Sequence, residues 1–492
     1  MASSMQERSG PPHAAREARR AITRRHFFAN GGGCLGAATL ATLGLSPNSP
    51  AAGASVPGPH FAPRAKSVIY LHMVGGPPQM DLFDYKPAME ERFDQDLPES
   101  IRSGQRLTTM TSGQERFPIA PSKYAFQRCG ESGMWVSELL PWTQKMVDDL
   151  TFVRSVHTDA INHEPAITLM QTGNQITGRP CIGSWASYGL GSLNNQLPTF
   201  VVLVAESTNK EQVQAISSRL WSAGFLDGKH AGVSFRQAGD PVLYLDDPPG
   251  VSRGLRRRVI DGLSDLNRIA HQRHSDPETL TRIQQYELAF DMQASVPELT
   301  DLSSETGGTY ELYGEAARES GTFANSALLA RRLVERGVRF VQVYHNNWDT
   351  HANVAGRLPD QCRDIDRPCF ALVQDLKQRG LLDDTLVIWG GEFGRTIYSQ
   401  GQLTAENYGR DHHPRCFTMW MAGGGTNAGA IYGETDDFSY NIAKDPVHVR
   451  DLHATVLELL GFDHKRLSVR HQGLDQRLTG VLPARVIRRL IA

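Results

Sequence analysis

Two charged residues follow an apolar run and a pair of glycines, which is an unusual place for charge. The run Thr385–Trp389 is strand-like, Gly390 and Gly391 come next, and Glu392 and Arg395 follow them. A loop that only reverses the chain needs neither charge. A carboxylate can hold a cation and a planar guanidinium can hold an anion. The stretch is therefore typical of a site that binds both together.

Other segments place carboxylate or imidazole groups just beyond a strand-like run or at the start of a helix. The candidate metal ligands are Asp81, Asp349, His351, Glu392, Asp411, His412 and His413. The candidate catalytic residues are His163 and Arg395. Mixed carboxylate and imidazole ligands suit Zn²⁺ or Mn²⁺, whereas oxygen-rich sites suit Mg²⁺ or Ca²⁺. We expect a divalent metal cofactor whose identity these residue types leave open.

Each of these side chains also has an ordinary structural explanation. Asp81 could cap a helix, and Glu392 could form a simple salt bridge with Arg395. His163 could be a buried histidine bonded to a backbone carbonyl, or it could act as a metal ligand, a general acid or a nucleophile. The argument for a metal site comes from the clusters together, because all of them follow predicted strands.

The elements that would position these residues alternate between strands and helices. Apolar runs at 67–74, 150–154, 199–204, 339–344, 385–389 and 417–422 predict buried strands, and apolar stripes at 325–336, 367–379 and 451–460 predict helices. This alternation is typical of a three-layer α/β/α fold around a doubly wound, mainly parallel sheet. Ligands in such sheets gather at the carboxyl ends of the strands.

The N-terminus resembles an export signal. The paired arginines Arg24 and Arg25 precede a glycine-rich, weakly apolar run and the small tripeptide 52–54. We expect a twin-arginine signal peptide at 1–54, a linker at 55–66, and one domain at 67–492 with a helical insertion at about 210–309. The mature protein would lie in the periplasm or cell envelope, with no transmembrane span.

Composition limits the classes of partner. The 492 residues are 40% hydrophobic and 21% charged, with a net charge of −2. That balance predicts neither nucleic-acid binding nor electrostatic attraction to membranes. The six cysteines include no Cys-x-x-Cys pair and no regular framework, so neither a thiolate zinc cluster nor a disulfide scaffold is expected. The expected partner is a small-molecule or glycan ester, and the oligomeric state is not readable.

Several motifs together resemble a known group of proteins. They are the paired-arginine leader, IYLHMVGGPPQMDLFDYKP, NHEPAITLMQTGNQITGRPCIGSW, WDTH, GEFGRT with GRDHHP, and VRDLHATVLELLGF. This combination resembles an exported bacterial family related to sulfatases, whose domain is of unknown function, within the alkaline-phosphatase-like superfamily. The resemblance covers about Lys66 to Ile491.

The resemblance implies a metal-dependent hydrolase of sulfate or phosphate esters. His163 falls where sulfatases carry a nucleophilic cysteine or serine, and Ile167 falls where they carry an arginine. Gly75 and Gly76 stand where acidic residues are expected. Because these departures remove the usual sulfatase nucleophile, the alternative is a non-catalytic envelope protein that binds a metal or a glycan.

Overall fold

A computed structural model describes residues 57–492 apart from 212, 237–240, 243–246, 248–249 and 275–276. The predicted signal peptide, 1–54, lies outside the described residues.

Nine of the described strands form one sheet with the order β12-β4-β11-β8-β1-β7-β5-β6, and β15 also pairs with β4. The strands are β1 (Ser67–Met73), β2 (Phe126–Cys129), β3 (Met134–Ser137), β4 (Leu150–His157), β5 (Phe200–Ala205), β6 (Val233–Phe235), β7 (Phe340–His345), β8 (Thr385–Gly390), β9 (Gly394–Gln400), β10 (Gly409–His413), β11 (Phe417–Ala422), β12 (Ile431–Tyr432), β13 (Glu434–Thr435), β14 (Ile442–Lys444), β15 (Val447–His448), β16 (Val469–His471) and β17 (Leu474–Gln476). Pairing along the sheet is parallel except at β11, which runs antiparallel to β4 and β8.

Helices cover both faces of this sheet. They are α1 (Gln79–Leu82), α2 (Glu99–Arg102), α3 (His163–Thr172), α4 (Ile182–Leu190), α5 (Arg253–His274), α6 (Pro277–Thr300), α7 (Gly307–Tyr313), α8 (Phe323–Glu335), α9 (Val354–Gln378) and α10 (Val449–Leu459). None of the described helices is long and apolar enough to cross a membrane.

The core is divided by the sheet, as alternating side chains of a buried strand require. In β1, Ile69 and Leu71 pack into one apolar cluster with α8 and α9, whereas Val68 and Tyr70 pack into another with α3, α4 and α10. The predicted three-layer α/β/α fold with a mainly parallel sheet is confirmed.

Several elements differ from the prediction. Helix α9 begins at Val354 rather than near Arg367, and it contains Pro359 and Pro368 in its interior. Strand β11 is antiparallel, although its apolar run resembles the others. The stretch predicted as a helical insertion contains α5 and α6 and also strand β6, which pairs with β5 at the edge of the sheet.

Candidate metal centre

Loops at one edge of the sheet bring distant parts of the chain together. Strands β4, β7 and β8 end at this edge, because β4 and β8 both lie antiparallel to β11 and β7 is joined to β8 through β1 in parallel. His163 begins α3 after β4. Asp349 and His351 follow β7, Glu392 follows β8, and His412 lies in β10 shortly before β11 enters the sheet.

Four of these side chains form a group that could hold a metal ion. Ligand atoms of His163, Asp349, His351 and His412 all lie within 4.8 Å of one another. Asp349 Oδ1 is 2.8 Å from Nε2 of His351, 3.1 Å from that of His163 and 3.4 Å from that of His412. Nε2 of both His163 and His412 is buried without a hydrogen-bond partner. Buried donors or acceptors without a partner are rare and call for a missing one.

The other nitrogen of each ring is held by an oxygen that can only accept. Nδ1 of His163 lies 2.6 Å from Glu392 Oε1, and Nδ1 of His351 lies 2.6 Å from Gln400 Oε1. Nδ1 of His412 lies 2.8 Å from the Ile161 carbonyl oxygen. Nδ1 therefore donates to these oxygens, and Nε2 is the nitrogen of each ring that faces Asp349. Histidines that bind metals are held in this way.

Electrostatics keep one of these rings neutral. Burial lowers the pKa of His412 to about 4, with Arg395 adding to the effect against the opposing pull of Asp349. His163 differs, because although burial acts to lower its pKa, the carboxylates of Asp349 and Glu392 outweigh burial and raise it. A bound cation would compete directly with a proton for His163.

Glu392 lies behind His163 rather than in the ligand group. Its carboxylate accepts hydrogen bonds from the backbone nitrogen of Gly75 at 3.0 and 3.2 Å, and His72 Nε2 lies 3.5 Å away. Burial would raise its pKa, but His163 and His72 reverse the shift and lower it to about 2. Glu392 is therefore an ionised, fixed acceptor for His163.

Arg395 is also placed differently from the expected anion clamp. Its side chain is fully buried, and its nitrogens bond to the carbonyls of Gly75, Gly76 and Arg410 and, at 2.6 Å, to Asp349 Oδ1. Burial would raise the pKa of Asp349, but Arg395 and the surrounding histidines hold it far below its ordinary value. Arg395 thus fixes an ionised Asp349 and has no nitrogen open to a ligand.

Besides Glu392, three more predicted metal ligands lie outside the group, where each bonds to another partner. Asp81 is buried against the Arg410 guanidinium at 2.7 Å and accepts from the Tyr408 hydroxyl. Asp411 accepts from the hydroxyls of Thr108 and Thr111, each at 2.5 Å. His413 Nε2 bonds to the Tyr440 carbonyl at 2.6 Å.

Two residues of the site were missed by sequence reasoning. Gln214 donates to Asp349 Oδ2 at 2.8 Å from the loop after β5, and Gln400 holds His351 from the end of β9. Gln214 lies inside the stretch predicted as an insertion, where nothing in the sequence sets it apart. The sequence gives only a weak indication of Gln400, which is the last residue of the strand that begins at Gly394, directly after the Glu392 loop.

Several solved structures are similar to the chain at low sequence identity. One is Ps i-CgsB in complex with k-i-k-neocarrahexaose, at 9% identity and a TM-score of 0.35, covering 81% of this chain and 72% of that one. Another is the phosphonate monoester hydrolase SpPMH from Silicibacter pomeroyi, at 10% identity and a TM-score of 0.31, covering 80% of this chain and 73% of that one. A third is a protein in the alkaline phosphatase superfamily from Vibrio parahaemolyticus, at 9% identity and a TM-score of 0.34, covering 84% of this chain and 71% of that one. Likeness this distant says nothing about activity.

Sequence comparison is more specific. Among curated proteins, none matches the chain significantly. A family model matches residues 65–491, nearly the whole described chain. The chain belongs to the family described as Protein of unknown function (DUF1501).

Proposed function

We propose that this chain is a metal-dependent hydrolase of phosphate or sulfate esters. The observation that carries the proposal is a set of three imidazoles and one carboxylate whose ligand atoms all lie within 4.8 Å of one another. Each of these rings is held through Nδ1. In two of these rings, His163 and His412, Nε2 is buried with no hydrogen-bond partner, so it is available to a cation.

The donor set favours zinc or a similar transition metal. His163, His351 and His412 offer imidazole nitrogens, which suit zinc, and Asp349 offers a carboxylate. Once bound, such an ion would lower the pKa of a coordinated water and polarise an ester oxygen. Metal analysis of protein folded in the cell, by plasma mass spectrometry, should find about one such ion per chain.

The residues around the group restrict the chemistry. His163 has one nitrogen on Glu392 and the other facing Asp349, so it is placed as a ligand rather than as a free nucleophile. Asp349 is held ionised by Arg395. We therefore assign the attacking oxygen to solvent, with His163, His351 and His412 placed to face the cation through Nε2.

The test is ester hydrolysis by the purified mature protein. Wild type with added Zn²⁺ or Mn²⁺ should cleave an aryl phosphate or an aryl sulfate. The Asp349→Asn variant should lose turnover and bound metal, whereas Asp383→Asn, at an exposed position, should retain both. A wild type that binds metal and a glycan but turns over neither ester would favour the non-catalytic alternative.

We also propose that the chain acts outside the cytoplasm. The support is the Arg24–Arg25 pair and the apolar run that follows it. N-terminal sequencing of the protein recovered from the cell envelope should read from near Ser55.

A further inference from the structure

Arg357 is a partly buried cation with two buried nitrogens that make no hydrogen bond. Its Nε and Nη1 are both buried without a hydrogen-bond partner, and only 15% of its side chain is exposed. Among the arginines that the structure describes, no other has two such nitrogens. Its contact with Glu211 uses Nη2. Buried donors left unpaired are costly, more so on a charged group. A partner for them is therefore expected.

The position of Arg357 points to what that partner is. It lies in the first turn of α9, six residues after the candidate ligand His351. The loop after β5 ties it to the metal group, because Glu211 contacts Arg357 while Gln214 of the same loop donates to Asp349. The amino end of a long helix adds positive potential at the same place.

A site for ester anions needs a cation that is open to the ligand. Arg395 cannot supply one, since its nitrogens are already bonded to carbonyls and to Asp349. We propose that Arg357 binds the non-bridging oxygens of a tetrahedral oxyanion, phosphate or sulfate, next to the metal group. This inference rests on the proposed function and names the residue that recognises the charged part of the substrate.

Glu211 now occupies the place that an anion would take. Its side chain is 66% exposed, and ion pairs with exposed carboxylates contribute little free energy. A dianion close to a bound cation can therefore displace it. The guanidinium would then present Nη1 and Nη2 side by side, the geometry that suits two oxygens of a tetrahedral anion.

Calorimetric titration of the zinc-loaded protein with inorganic phosphate, and separately with sulfate, tests the proposal. Arg357→Gln should weaken binding of the preferred anion by about 10- to 100-fold, as expected for loss of a charge-assisted contact. Arg357→Lys should recover only part of the affinity. The matched control is Arg363→Gln, which removes the same charge from an exposed position on α9 (71% exposed) and should bind like wild type.

The outcomes separate this inference from the proposed function. Equal anion affinity in wild type and Arg357→Gln, at equal zinc content, would overturn the role of Arg357, as would a wild type that binds neither anion. Anion binding that depends on Arg357, in a protein that cleaves no ester, would support the inference and reject the hydrolase. The anion bound more tightly by wild type identifies the substrate as a phosphate or a sulfate ester.

Discussion

At the scale of single residues, the site depends on which nitrogen of each histidine ring carries its proton. Glu392, Gln400 and the Ile161 carbonyl accept from Nδ1, and this leaves Nε2 as the nitrogen of each ring that faces Asp349. These acceptors are as much part of the site as the ligands, because a ring that rotates or changes tautomer presents a proton to the cation instead of a lone pair.

The Gln400 side chain allows a direct test of this point. Gln400→Leu keeps the volume of the side chain but removes the acceptor of His351 Nδ1, so the ring is no longer fixed. Affinity for Zn²⁺ should fall about 10- to 100-fold, the usual effect of losing such a partner, as measured by competition with a chromogenic chelator. Gln95→Leu, at an exposed amide that bonds only to Glu91 within its own turn, should bind Zn²⁺ like wild type; an unchanged affinity in Gln400→Leu would contradict the assignment.

Residue types alone could predict only part of this site. The sequence singled out His163, Asp349, His351 and His412, and the structure brings these four together. It singled out Asp81 and Asp411 on the same grounds, yet an arginine and two threonine hydroxyls occupy them. A carboxylate can be satisfied by a metal ion, by an arginine or by neutral hydroxyl groups, and only the tertiary contacts decide among them.

At the scale of elements, close backbone packing beneath the site determines where Asp349 lies. Gly75, after β1, has φ +119°, and a Cβ there would lie 2.4 Å from the backbone nitrogen of Asp349. The same residue donates its own nitrogen to Glu392 and offers its carbonyl to Arg395. The turn after β1 therefore fixes the positions of two neighbouring loops, the one that carries Asp349 and the one that carries Glu392.

A Gly75→Ala substitution should disturb both loops. We expect a loss of about 1–3 kcal/mol in the free energy of unfolding from backbone strain, and a further loss from the clash, together with weaker Zn²⁺ binding. Gly401→Ala is the matched control, because Gly401 also has a positive φ (+71°) but nothing within 4 Å of an added Cβ. Urea unfolding and zinc titration of both variants would measure this, and equal metal affinity in the two would refute the packing argument.

Elements differ in how much the sequence says about them. The strand over 417–422 was predicted with its observed limits, because its apolar run is bounded on both sides, but its direction was not. An apolar run has the same pattern in a parallel and in an antiparallel strand, so it does not indicate the direction of the strand. For α9, Pro368 favoured a start at that point, yet the helix continues through it because its apolar face, including Leu358 and Ile365, is buried in the core.

At the scale of the whole molecule, buried neutral histidines should make stability depend on pH. His453 of α10 donates Nε2 to the Met170 carbonyl of α3 at 2.8 Å, and burial lowers its pKa to about 4. In the unfolded chain a histidine titrates near 6.5. As the pH falls from about 6.5 to about 4, the unfolded state therefore binds a proton that the folded state does not bind. The stability that is present above about pH 6.5 is lost toward pH 4.

One histidine should contribute roughly 3 kcal/mol to that loss. His453→Gln keeps a donor for the Met170 carbonyl but does not titrate, so its melting temperature should fall less than that of wild type between pH 7.5 and pH 5. His274→Gln, at an exposed position of α5, should follow wild type. Equal falls in wild type and His453→Gln would show that this ring does not govern the acid response.

The buried guanidinium of Arg395 has one more consequence. It supplies a permanent positive counter-charge to Asp349, so the carboxylate keeps a cation beside it when no metal ion is bound. Small zinc-dependent domains unfold when a chelator strips their ion, but here the vacated site would keep its own cation. The protein should therefore stay folded through repeated cycles of metal removal and reloading, so that metal content and fold stability vary independently.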